Sequence, residues 1–128
     1  MAQEELGLGP HNLWHYGSGF GGGVAGCGHT CGALTGAAIA IGVTENAHPR
    51  PDGQTHDRIS AAVRRIHDEL MLTLGSTDCS AISGYVLRED GQFEAFKNSG
   101  VKKTRCYQAV GIAVKWLAKW SQESGLDQ

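Results

Sequence analysis

Apolar residues at Ile59, Val63, Ile66, Leu70 and Leu74 recur at intervals of four, three, four and four. That period places all five on one face of a helix over residues 55–74. Arg58, Arg64, Arg65, Asp68 and Glu69 lie mostly off the stripe, which leaves the other face polar. Thr55 suits the N-cap and Gly75 the stop. A second stripe of Cys106, Val110, Ala113, Leu117 and Trp120 repeats at four, three, four and three. It predicts a helix from about Thr104 to Ser121, with Tyr107 and Trp116 flanking a bundle-like seam.

The remaining chain is less periodic. Residues 31–43 read as a helix of small residues. Gly32 and Gly36, with Ala33, Ala37 and Ala40, leave it a nearly bare face suited to close helix packing. Residues 44–54 hold Pro49, Pro51 and an Asp-Gly pair, and are a connector. Residues 77–84 start another short element. Residues 85–99 allow two readings. Asp90-Gly91 between partly alternating flanks suits a hairpin. Phe93 and Phe96 followed by Gly100 suit a short helix with a glycine stop. Near the start, residues 1–10 are loose, and His11 to Tyr16 could form a turn or two of helix after Pro10. Residues 18–23, SGFGGG, are too rich in glycine for a stable helix. No repeat and no sheet can be assembled. The expected architecture is all-α, a compact bundle of four to five helices with a glycine-rich N-terminal loop. Residues 1–17 form its loose N-terminal segment, and residues 18–123 a single helical domain.

Length and charge narrow the partners. A chain of 128 residues is one domain, large enough to bury roughly 70% of its unfolded surface. A net charge of −2 gives no reason to expect nucleic acid. Lys102, Lys103 and Arg105 read as a solvated helix start. No apolar run approaches the ~20 residues of a membrane span, and no signal peptide is visible. We therefore expect a cytoplasmic protein with no membrane partner, whose thiols stay reduced. Trp116 and Trp120 exceed what one small seam needs, which makes a homodimer a candidate. The same two residues filling the core is the alternative.

Chemistry enters with four cysteines, Cys27, Cys31, Cys79 and Cys106. In a small reduced domain they suggest metal or redox chemistry more than a disulfide scaffold. Cys31 follows the cap-forming Thr30, Cys79 follows Ser76-Thr77-Asp78, and Cys106 follows Thr104. Each would sit in the first turn of a helix. Backbone N–H groups are unpaired there and the helix end is partly positive, which favours thiolate. Cys106 also lies on its helix's inward seam, beside Lys103 and Arg105. Cys27 sits in a glycine-rich turn, where Gly28 and later Gly32 allow close backbone approach to a bound group. His29, between Cys27 and Cys31, is a further candidate ligand or proton carrier. Gly17, Gly19 and Gly22 match GxGxxG, but no strand precedes them and no βαβ unit follows. Only one cysteine pair is tight, so the spacing does not prompt zinc. The ferredoxin run and C-x-x-C-H are both absent.

Three blocks carry a resemblance: SGFGGGVAGCGHTCGALTGAAIAIG, LGSTDCSAISGY and FEAFKNSGVKKTRCYQAVGIAVKWL. In this order they resemble the redox-active family named for its C-GCAxxG-C-C cysteine pattern, over residues 18 to about 120. The resemblance implies a small helical domain whose scattered cysteines hold an iron–sulfur cluster or act in redox chemistry. Cys31 matches the cysteine of the CGAxxG motif, and Cys79 and Cys106 the two later ones. The family's first cysteine lies in an N-terminal helix. Here the segment HNLWHYGSG has no thiol, so Cys27 could substitute from the loop, or an outside ligand could complete a three-thiolate site. A related domain occurs in split-Soret cytochromes, but the haem part does not carry over. The resemblance also turns residues 91–98 toward a helix. The leading expectation is an electron-transfer or redox-sensing protein, serving a redox partner that the residues do not identify. Cys27, Cys31, Cys79 and Cys106 would bind an iron–sulfur cluster, tuned by Gly28 and Gly32. The alternatives are a thiol–disulfide oxidoreductase using Cys27 and Cys31, with His29 assisting, and a structural zinc site.

Overall fold

The computed structural model describes residues 13–125. The loose segment expected over residues 1–10 and His11 lie outside them. A 3-10 helix spans Leu13–Phe20 and is followed by a tightly coiled glycine loop. Helices α1 (Gly32–Ala47), α2 (Thr55–Leu74), α3 (Cys79–Ser83), α4 (Gln92–Ser99) and α5 (Tyr107–Ser124) complete the chain. The described residues form no strand, only an isolated antiparallel bridge between Thr30 and Asp78. The architecture is all-α, as the patterning predicts.

Helix α2 has the predicted bounds. Its cap differs: Gln54 takes the N-cap position, and Gly75 ends the helix in the left-handed region at φ +81°. Ala62, Ile66, Leu70 and Leu74 are buried, with Ile59 and Val63 packed at the edge. Burying each large side chain contributes about 1.5–3 kcal/mol. Helix α1 packs on α2, and α5 lies against both. Leu34, Ala37 and Ile41 come from α1, Ile82 from α3, and Ala109, Ile112 and Ala113 from α5. Residues 85–99 resolve as the short helix, between Gly91 and Gly100 in left-handed conformations.

Three expectations are corrected. Helix α1 continues past residue 43 to Ala47, and so carries Glu45 into the interior, where it is 0% exposed. The bare face of α1 is not a packing surface along its whole length. A Cβ on Gly36 would meet nothing, whereas Ala37 beside it is buried. On α5 the inward ridge is Ala109, Ile112 and Ala113, and Val110 is 50% exposed. Alanines let helices approach closely, and a periodicity read from large side chains passes over them. Trp116 and Trp120 pack against the core of the single chain.

The end of α5 lies beside the α1–α2 connector: Arg50 Nη2 donates to the Ser124 carbonyl at 3.4 Å, and Arg65 pairs with Glu123 at 2.8 Å. The start of α5 therefore faces the other end of the bundle, where α1 begins, α2 ends and the cysteines lie.

Candidate functional site

Two backbone segments meet at the cysteine end. The Cys31 amide donates to the Thr77 carbonyl at 2.7 Å, and the Cys79 amide to the His29 carbonyl at 2.6 Å. Further along, Ser80 donates to Gly28 at 3.1 Å and Arg88 to Gly26 at 3.0 Å. Cys31 and Cys79 thus flank the isolated Thr30–Asp78 bridge, one on each segment.

The loop can lie so close because of Gly23. A Cβ there would fall 2.6 Å from the Cys79 Cβ and 2.6 Å from the His29 amide and carbonyl. Gly23 also has φ +72°, a region that only glycine enters without strain. The left-handed run does not stop at glycine. Val24 and Ala25 have φ of +67° and +52° between Gly22, Gly23 and Gly26. Bonds such as Ala25 N–H to Gly19 O at 2.9 Å and Gly28 N–H to Gly22 O at 3.0 Å hold the coil closed. Five consecutive left-handed residues are costly backbone, kept only where the surroundings over-determine them.

Cys31 is the N-cap residue of α1, and Cys79 is the first residue of α3, after Asp78 at its N-cap. Cys106 is not at a helix start. The helix is already under way at Val101, and Cys106 ends a π-helical stretch, Lys102–Cys106, that runs directly into α5. Single π turns inside helices often mark functional positions. The basic cluster is also not all solvated. Lys102 and Lys103 are exposed, but Arg105 turns inward. Its Nε donates to the Ile82 carbonyl at 2.6 Å and its Nη2 to the Leu74 carbonyl at 2.9 Å. It thus caps the last turn of α2 and of α3 with one guanidinium, and pins the residue before Cys106 to the helix that carries Cys79.

The thiols of Cys31, Cys79 and Cys106 lie within electrostatic reach of one another. Burial pushes Cys106 up from the ordinary thiol value, and negative charge on Cys79 and then Cys31 pushes it further, while Lys102 and Arg105 pull it down. Burial likewise raises Cys79, and so does charge on Cys31. The hydroxyl of Ser83, 3.9 Å from its sulfur, opposes both. The helix-start argument anticipates lowered values for these two thiols. Burial outweighs it at Cys79, and Cys106 has no helix start beside it.

Cys27 stands apart. Its sulfur lies 3.9 Å from the Ala25 carbonyl, and its charge is not among those acting on Cys79 or Cys106. All four cysteines are half-buried free thiols. The His29 side chain is exposed. Gly28 is buried, with its amide bonded to Gly22 and its carbonyl to Ser80, and a Cβ there would lie 3.0 Å from the Ser80 Cβ. Gly32 opens α1, with the Phe20 carbonyl 3.6 Å from where its Cβ would be. Among the described residues, no group of three or more His, Cys, Asp or Glu is arranged to hold a single metal ion.

The sequence does not single out the parts played by three contributors. Gly23 is hidden among equivalent glycines. Ser83, 4% exposed, accepts the Tyr85 amide at 3.2 Å and donates to the Cys79 carbonyl at 2.7 Å. Arg105 reads in sequence as one of three cations beside Cys106, and only the observed ridge of Ala109, Ile112 and Ala113 puts it on the inward face. No described helix is long and apolar enough to cross a membrane.

A family model described as "Putative redox-active protein (C_GCAxxG_C_C)" matches residues 1–120. No curated protein and no solved structure matches the chain.

Proposed function

The chain belongs to the C_GCAxxG_C_C family of redox-active proteins, and we propose that it is a small electron-transfer or redox-sensing protein that holds an iron–sulfur cluster through Cys31, Cys79 and Cys106. The observation that carries this reading is that three separate parts of the chain, joined by the Thr30–Asp78 bridge and by Arg105 reaching the Leu74 and Ile82 carbonyls, bring Cys31, Cys79 and Cys106 to one end of the bundle. The donor set fits such a group: three sulfurs, half-buried, with Lys102 and Arg105 beside them to balance negative charge. When bound, the cluster would supply one-electron chemistry. The chain's own part is to hold the sulfurs in place, through the Thr30–Asp78 bridge and the Arg105 clamp, and to keep the site half-dry.

A tetrahedral zinc ion, with Zn–S of about 2.3 Å, would draw its thiolates to within roughly 4 Å of one another. Among the described residues no group of three or more His, Cys, Asp or Glu is arranged to hold a single ion, and elemental analysis of untreated protein separates bound zinc from iron. Thiol–disulfide exchange is the second reading. Cys31 and Cys79, which flank the Thr30–Asp78 bridge on the two segments, suit it better than Cys27 and Cys31 do. The upward displacement of Cys79 weighs against it, since exchange is fastest for a thiol whose pKa is near the ambient pH.

Anaerobic purification of the full chain, with determination of iron and acid-labile sulfide, tests the proposal. A brown protein with visible absorption and both elements bound is the expected result. A colourless protein that cannot be reconstituted anaerobically with iron and sulfide refutes it.

A further inference from the structure

We propose that the outer face of α5 is a self-association surface, on which a second copy of this chain packs its own α5 antiparallel. Tyr107, Gly111, Val114, Ala118 and Ser121 recur at intervals of four, three, four and three along the helix. That is the spacing of a helix–helix seam. It lies on the side away from the buried ridge of Ala109, Ile112 and Ala113. Tyr107, Gly111, Val114 and Ala118 are exposed, and Ser121 is half-buried. No charged residue stands on the seam.

Two observations here have no explanation inside one chain. Tyr107 and Val114 are each 57% exposed, and Val110 beside them is 50% exposed. Scattered apolar residues on a surface are ordinary, but these gather along one face of one helix. Gly111 interrupts the middle of α5, where glycine is the least favourable residue after proline. A Cβ there would meet nothing within 4 Å, so packing within the chain does not require it.

A second copy accounts for both. The seam alternates large and small, from Tyr107 to Gly111 to Val114 to Ala118. Run antiparallel, one register places Tyr107 over the partner's Ala118 and Val114 over the partner's Gly111, and the two-fold axis repeats both contacts. Each large side chain then fills the space left by a small one, and the glycine lets the two backbones approach closely. Charge selects the same direction. Lys102 and Lys103 are exposed just before Tyr107. Antiparallel packing sets them beside the last turn of the partner's α5, the partly negative end of that helix. Parallel packing would set the two lysine pairs against each other.

Length bounds the strength. From Tyr107 to Ser121 the seam is about 21 Å long at the helical rise of 1.5 Å per residue. One helix pair of that length covers less than the roughly 800 Å² per partner of a standard interface. The dimer is therefore reversible, with a dissociation constant between about 1 µM and 1 mM. Trp116 and Trp120 pack against the core and take no part.

The test is sedimentation of the full chain in reductant from ~10 µM to ~1 mM, with intermolecular NOEs measured on a mixture of isotope-labelled and unlabelled copies. We expect a monomer–dimer equilibrium and an NOE between the Tyr107 ring and the Ala118 methyl. Within one chain these groups are about 16 Å apart along α5, too far for such a contact. Val114→Lys puts a charge into the seam and should weaken the dimer at least about tenfold. Gly111→Leu should weaken it by about as much, because it overfills the place of the partner's Val114. The Gly111→Leu monomer should unfold at the same or a higher temperature, since leucine is the better helix former. Leu72→Lys, at an 83% exposed position on α2, should leave the dimer unchanged. A chain that stays monomeric to ~1 mM leaves the face to a different protein and overturns the proposal. So does a dimer that survives both seam variants, or one without the Tyr107–Ala118 contact.

Discussion

The amide of Cys79 donates to the carbonyl of His29 at 2.6 Å, which fastens a cysteine from the middle of the chain to the glycine loop that precedes α1. Gly23 lies over this bond, with no room for even one more carbon. Gly23→Ala should therefore destabilise the protein by at least about 2 kcal/mol, from the left-handed backbone and the clash together. The urea midpoint measures the cost. Iron bound after anaerobic reconstitution should fall with it, because the displaced neighbour is Cys79.

Val24 makes the opposite prediction from the same loop. A β-branched residue at φ +67° is strained, and Val24 is 38% exposed, so little burial is lost on trimming it. Val24→Gly should stabilise the fold by about 1 kcal/mol. Thermal unfolding with the midpoint raised by a few degrees is the expected outcome. A lowered midpoint would mean that the side chain contributes packing that outweighs the strain.

The bundle was largely legible from the pattern of apolar positions, because α2 carries a long stripe of large side chains that only one helical face can hold. The loop was not. Its conformation depends on which of several adjacent glycines lies against Cys79, and that is settled by contacts 56 residues apart in sequence (Gly23 and Cys79). The candidate thiols were found by residue type, and the charges of Cys79 and Cys31 act on Cys106. Their electrostatics were misread, because helix-end arguments ignore burial and because the π stretch moves the helix start away from Cys106. Glu45 escaped notice because a Thr-Glu-Asn run reads as a connector. The Arg58 partner on the next helix, with Arg50 at 3.9 Å, makes its burial tolerable.

Arg105 is a positioning residue, and it gives a two-sided prediction. Arg105→Met leaves the Leu74 and Ile82 carbonyls without their donor. The expected loss is about 2–3 kcal/mol in urea unfolding, since these are charge-assisted bonds. A purely structural role would end there. Arg105 also lowers the Cys106 pKa, so its removal should slow iodoacetamide alkylation of Cys106 at a fixed pH between 8 and 9. Arg105→Lys should restore much of the alkylation rate, because the charge is kept, but less of the stability, because an ammonium lacks the planar fork.

Single Cys→Ser variants separate the four thiols. Cys31→Ser, Cys79→Ser and Cys106→Ser should each lower the iron and sulfide retained after reconstitution by several-fold. Cys27→Ser should retain most of both, because Cys27 is not among the groups whose charge acts on Cys79 or Cys106. Equal loss in all four variants would show that the loop rearranges to bring Cys27 in as a fourth ligand.

Burial of Cys79 and Cys106 also sets a pH dependence for the metal-free protein. Both thiols are pushed above the ordinary value of 9.0, so the folded chain keeps their protons to higher pH than the unfolded chain does. Below about pH 7.5 both states are protonated and the stabilisation is fully present. As the pH rises further, the unfolded state releases protons first, and stability falls until the folded thiols also ionise. The urea midpoint should therefore decline between pH 8.5 and 9.5 in the native chain, and decline less in Cys79→Ser or Cys106→Ser. The same displacement acts on cluster loading. Thiolate ligands must surrender their protons, so reconstitution should release protons into a weakly buffered medium and should proceed faster at pH 8.5 than at pH 7. A midpoint that stays level to pH 9.5, with loading indifferent to pH, would mean that these sulfurs are not held as protonated thiols before the metal arrives.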